Sequence, residues 1–158
     1  MAAALGLTAA LVIPAAASAD TGGGKEFSGA TITFGAISVS GKLIARVTVN
    51  LTCDPLDSLD PDTLEPTTTT AGVVGYLPIQ LLQAQGRTID VGFGEVDSVN
   101  VVCDGTTINK LVVPVLAQNA PWHGGAALAS GGVVVFEASG IGQDSASVDM
   151  VSVRLSAK

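Results

Sequence analysis

Aromatic side chains are scarce in this chain. Four Phe, one Tyr and one Trp make up 4% of its 158 residues. A core without large rings has to be built from Val, Ile, Leu and Ala, and with 19 Gly that composition favours strands and turns over helices. Charge is also sparse, at 13%, and only seven residues are Lys or Arg, scattered singly against 14 acidic ones. With no basic stripe to neutralise phosphates, nucleic acid is excluded as an expected partner. A net charge of −7 also disfavours anionic membrane surfaces and wall polymers, but it selects no particular partner.

Histidine occurs once, at His123, in Ala120-Pro121-Trp122-His123-Gly124-Gly125. Neither a nucleophile elbow nor an HExxH or paired-His spacing surrounds it, so no hydrolytic or metal-dependent motif can be assembled. No cofactor is expected. The candidate ligand-binding residues are therefore Trp122, a large ring that could serve as a contact platform, and His123 beside it. The other reading of that pair is a loop side chain folded back over the end of the domain. The acidic residues Asp54, Asp57, Asp60, Asp62 and Glu65 offer hard oxygen ligands of the kind calcium takes, but their spacing matches no EF-hand loop, and a solvated loop is the simpler expectation.

The only long apolar run lies at the amino end. Residues 1–19 carry no charge and finish in Ala17-Ser18-Ala19, the small-x-small pattern at which a signal peptidase cuts. The expectation is a signal peptide over 1–19, a Gly-rich flexible leader over 20–28 and a single domain over 29–158, secreted and without a membrane span once the leader is removed.

Two cysteines then fall in an oxidising compartment, and without a CxxC spacing or a nearby His they read as one structural bridge, Cys53–Cys103. Ahead of Cys53, the residues Leu43, Ala45, Val47, Val49 and Leu51 alternate with Ile44, Arg46, Thr48, Asn50 and Thr52, a period-2 pattern that places Cys53 on a buried face. Val99, Val101 and Cys103 repeat the pattern, and each cysteine is followed by a turn signal.

Strands are also predicted over Ala30–Ser40, with a phase slip at Gly35-Ala36, and over Thr88–Phe93, Ile108–Val115, Ala126–Ala129, Gly132–Ala138 and Ala146–Leu155, the last changing phase near Met150. Thr67–Leu82 reads as strand material interrupted by Pro78, and Leu77–Gln85 is open between a helical turn and a strand. Residues 53–66, with three Pro and five acidic side chains, read as a polar connection outside the core. Seven to nine short strands with no long amphipathic helix imply an all-β domain, expected to be an antiparallel immunoglobulin-like β-sandwich whose two sheets the disulfide joins.

The leader ending in Ala19, the Val49-Asn50-Leu51-Thr52-Cys53 strand, Val101-Val102-Cys103-Asp104-Gly105-Thr106 ahead of a Val-rich strand, and Gly124-Gly125-Ala126-Ala127 together resemble a group of small secreted actinobacterial proteins of uncharacterised function that are read as immunoglobulin-like. The resemblance covers about half the mature chain, implies export and that fold, and transfers no active site. Three functions compete. The first is a secreted, non-catalytic binding module for a protein or cell-surface partner. The others are a structural, self-assembling envelope component and a small secreted hydrolase relying on His123.

Overall fold

A computed structural model describes residues 29–157; the expected signal peptide and leader lie outside that range. The described residues form ten strands and no helix: β1 Thr31–Ser40, β2 Ile44–Thr52, β3 Leu56–Leu59, β4 Pro66–Thr69, β5 Ala71–Gln85, β6 Thr88–Val96, β7 Val99–Val102, β8 Asn109–Ala117, β9 Gly125–Phe136 and β10 Gln143–Ala157.

The sheet closes on itself. Its order runs β6-β8-β2-β1-β10-β9-β5, and β5 pairs in turn with β6, giving a seven-strand barrel to which β7 adds as an extra strand along the start of β5. All pairings are antiparallel except that between the first and last strands, where Ile37, Ser38 and Val39 lie parallel to Leu155, Ser156 and Ala157. The all-β class and the disulfide are as the sequence implies, but the two-layer antiparallel sandwich is replaced by one closed, mixed sheet. Alternating strands serve both architectures equally, because each needs one buried face per strand.

A barrel this narrow has an interior that side chains fill completely. From β2, Ala45, Val47, Val49 and Leu51 point inward. They meet Val113 and Val115 of β8, Leu77, Ile79 and Leu81 of β5, and Ala127, Ala129, Val133 and Val135 of β9, all buried. The phase slips read in the sequence are bulges: the β1–β2 register shifts between Phe34 and Ile37, and the β9–β10 register between Val148 and Val151.

Leu77–Gln85 is strand, because the inward row of Leu77, Ile79, Leu81 and Gln83 fits the barrel wall and pairing on both sides outweighs local helix propensity. Ala126–Ala129 and Gly132–Ala138 merge into the single strand β9. The acidic connection departs from expectation. It contains the β3–β4 hairpin, pairing Leu56–Leu59 with Pro66–Thr69, and Leu56 is buried in the core at 3% exposure.

Candidate binding groove

One pole of the barrel holds the disulfide. Cys53 and Cys103 sit 4.5 Å apart between Cα atoms, just past the ends of β2 and β7, and tie the added strand back to the barrel wall. Asn109 does similar work beside them. Its side-chain oxygen accepts from the Val102 amide at 2.9 Å, while its Nδ2 donates to the Val102 carbonyl at 2.8 Å and to that of Leu51 at 3.3 Å. From the first residue of β8, this one amide thus ties β7 to the β2–β8 pair. Asp104 closes the intervening turn, Oδ1 accepting from the amides of Thr106 and Thr107 and Oδ2 from the Thr107 hydroxyl. These donors hold its carboxyl far below the ordinary 3.8.

The acidic residues do not converge. Asp60 accepts the amides of Asp62 and Thr63, both at 2.9 Å, as an Asx turn that shapes the tip of the β3–β4 hairpin, and its carboxyl is lowered as a result. Asp54 lies at the base, close to Gly29 and Gly105 and near enough to Asp144 to help raise that carboxyl's pKa, although burial of Asp144 is the larger cause. Among the described residues, no group of three or more His, Cys, Asp and Glu is arranged to hold a metal ion.

The opposite pole is closed by the 118–124 loop, and here the structure places Trp122 and His123. Trp122 is only 2% exposed. Its indole plugs the barrel end against Gly92, whose missing side chain leaves the space the ring occupies, and Nε1 points to the Val115 carbonyl at 3.4 Å. The indole is the end wall of the core, so the ring offers no exposed platform.

His123 is exposed, its Nδ1 2.7 Å from the Pro121 carbonyl, while its backbone exchanges two hydrogen bonds with the Gln83 side chain. Gln85 donates to the Pro121 carbonyl at 2.8 Å. Two glutamines projecting from the end of β5 therefore pin the plug. Next to them Asp90, 1% exposed, faces inward with Oδ2 unpartnered.

A concave feature lies elsewhere, on the outer wall across β6, β5, β9 and β10. It is a groove of about 730 Å³, in the size range that holds drug-sized ligands. Missing side chains make it. Gly132 of β9 faces outward in register with Ser147, and Pro78 faces outward opposite Glu95. The β5–β9 ladder skips Leu77 and Pro78, where proline has no N–H to give, and it shifts register between Val74 and Tyr76, with the Phe136 ring lying over Gly75.

This irregularity turns Tyr76 outward, 49% exposed, along the same wall as Phe93 at 47%. Glu95 and Asp149 stand on the outermost strands of the groove, with Gln80 and Ser130 on the strands between them and Ser147 two residues from Asp149 on β10. No Lys or Arg lines it.

None of these residues belongs to a motif, and sequence reasoning passed over them. The available signal was weak: the lone Tyr and an outward Phe in a chain with very few rings. No protein-family model matches the chain, and no curated protein matches it in sequence.

Proposed function

We propose that the protein is an exported, non-catalytic binding module that engages its ligand through the outer-wall groove. The observation carrying this reading is the groove itself. Two half-exposed aromatic rings and a glycine–proline floor are fixed on a rigid barrel whose interior is too well filled to hold a ligand. Aromatic side chains are enriched at binding surfaces because they offer large contact area for little lost conformational freedom. In a chain whose only Trp is in the core and which has one Tyr, an outward Tyr76 and an outward Phe93 at the two ends of one groove are a large share of its rings.

Export is supported by the small-x-small end of residues 1–19 and by the disulfide, which persists in oxidising compartments. The non-catalytic part rests on His123, whose Nδ1 faces the Pro121 carbonyl and whose backbone is held by Gln83 in a loop that seals the core.

The test is a chemical-shift survey of the ¹⁵N-labelled disulfide-bonded domain against short peptides of differing charge and small oligosaccharides. Perturbations centred on Phe93–Glu95, Ser130–Gly132 and Ser147–Asp149 are expected. Perturbations only at the Trp122 pole, or none with any probe, would overturn the reading.

A second reading, self-assembly as an envelope component, draws on an apolar row on the outer wall: Leu116, 55% exposed, lies opposite both Ile44 and Phe93. Sedimentation as a monomer at high protein concentration would count against it.

A further inference from the structure

The groove has an uneven chemistry that narrows its ligand, and this inference rests on the groove being the binding site. Its floor and flanks are mostly apolar, its hydroxyls and Gln80 carry no charge, and both of its charged groups are carboxylates. Glu95 is on β6 and Asp149 on β10, with β5 and β9 between them. Ser147 stands in line with Glu95 across Pro78 and Gly132, and Asp149 is two residues farther along β10; three strand intervals plus that step separate the two carboxylates by about 16 Å along the wall. Neither carboxylate has a hydrogen-bond or ion-pair partner among the described residues. The nearest cross-strand neighbour of Glu95 is Pro78, which cannot donate.

A single small amine cannot span that distance, so two separated carboxylates flanking an aromatic floor fit an elongated ligand. Side chains four residues apart on an extended peptide project from the same face about 14 Å apart, and on a peptide running obliquely across the strands the flexible stems of Lys or Arg cover the remainder. We infer that the groove binds an extended peptide segment of a partner protein, carrying Lys or Arg at two positions four residues apart and an apolar or aromatic residue between them.

The basic ends pair with Glu95 and Asp149, while the central side chain lies on the Gly132–Pro78 floor, with Tyr76 toward one end of the groove and Phe93 toward the other. Because the peptide crosses the strands instead of extending the sheet, its backbone needs no free edge, which a closed barrel does not offer there. The cation paired with Glu95, two residues from Phe93 on the same face of β6, gains further from that ring's quadrupole.

Gly132 supplies the control. A Cβ built there meets nothing closer than the Ala146 carbonyl at 3.4 Å, and its φ is not in the left-handed region, so a larger side chain fills the groove without disturbing the wall. Titration of the labelled domain with the acetylated, amidated peptide Lys-Ser-Tyr-Ser-Lys is expected to shift the amides of Phe93–Glu95, Gly131–Gly132 and Ser147–Asp149. The Gln-Ser-Tyr-Ser-Gln peptide is expected to bind at least fivefold more weakly.

Glu95→Gln with Asp149→Asn should weaken the Lys peptide about three- to tenfold and remove most of its salt dependence. Gly132→Leu should abolish groove shifts while keeping a dispersed native spectrum. Equal affinity for the Gln peptide, or no effect of the Glu95/Asp149 pair, would overturn the charge inference while leaving the groove as a binding site. Oligosaccharide binding in the groove without peptide binding would make it a sugar site and overturn it equally. Absence of groove shifts with every probe would overturn both this inference and the function it rests on.

Discussion

Glycine has two opposite uses in this barrel, and they separate at the level of single atoms. Gly92 faces inward against the Trp122 indole, and a Cβ there would also lie 2.6 Å from the Leu116 carbonyl, which is backbone and cannot yield. Gly92→Ala is expected to cost roughly 2–3 kcal/mol by overpacking, read as a lower denaturation midpoint at unchanged m-value. Gly132→Ala, by contrast, is expected to stay within about 0.5 kcal/mol of the parent, because its outward space is open.

Carboxylates divide in the same way. Asp104 is held low by the Thr106 and Thr107 donors, so the folded state resists protonation. Its stabilising contribution is complete above pH 3.8 and is lost as pH falls from there toward its own lower pKa. Asp144 is raised by burial, so the folded state takes up a proton before the unfolded chain does, and stability gains as pH falls from its raised pKa to 3.8. Urea titrations from pH 7 to pH 2 should show Asp104→Ala flattening the acid-side loss and Asp144→Asn removing the opposing gain.

At the scale of elements, side-chain amides stand in for missing backbone. Asn109 joins β7 to β2, and Gln83 and Gln85 hold the 118–124 loop to β5. Asn109→Ala leaves the Val102 amide and carbonyl to water and is expected to cost about 1 kcal/mol, because both groups are exposed, with faster amide exchange confined first to Val99–Val102.

Much of this level was legible in the sequence. Period-2 alternation marked β2, and the phase changes in β1 and β10 marked their bulges, because a face-switching strand must break its pattern where it bends. β6 was legible as a strand, but its orientation was not. Ile89, Val91 and Phe93 form its apolar phase, yet the structure turns Asp90 and Gly92 inward, because the indole fills that part of the interior and leaves room only for a glycine. The groove escaped for a related reason: it is made of what Gly132 and Pro78 lack, and a missing side chain has no signature until its neighbours in other strands are known.

At the scale of the molecule, closure was the illegible step. Pairing of the first strand with the last depends on contacts more than 100 residues apart, which local patterning does not encode. The disulfide spans 50 residues at the pole where β7 leaves the barrel. In the chain-entropy account, a loop of that length contributes about 4 kcal/mol, so the Cys53→Ala/Cys103→Ala variant is expected to lose about that much in equilibrium denaturation. The loss would be a large part of the stability of a domain this size.

The parallel pairing of β1 with β10 also fixes where the domain's two ends emerge. β1 enters at the disulfide pole, where Thr31 lies opposite Thr52, and β10 leaves beside Val39 at the pole sealed by Trp122. A pull applied to the two ends therefore runs lengthwise along the β1–β10 seam and loads its hydrogen bonds together in shear, whereas an antiparallel seam held at adjacent ends would open one bond at a time. Anchored at one end and tugged at the other, the barrel is built to hold its shape under tension.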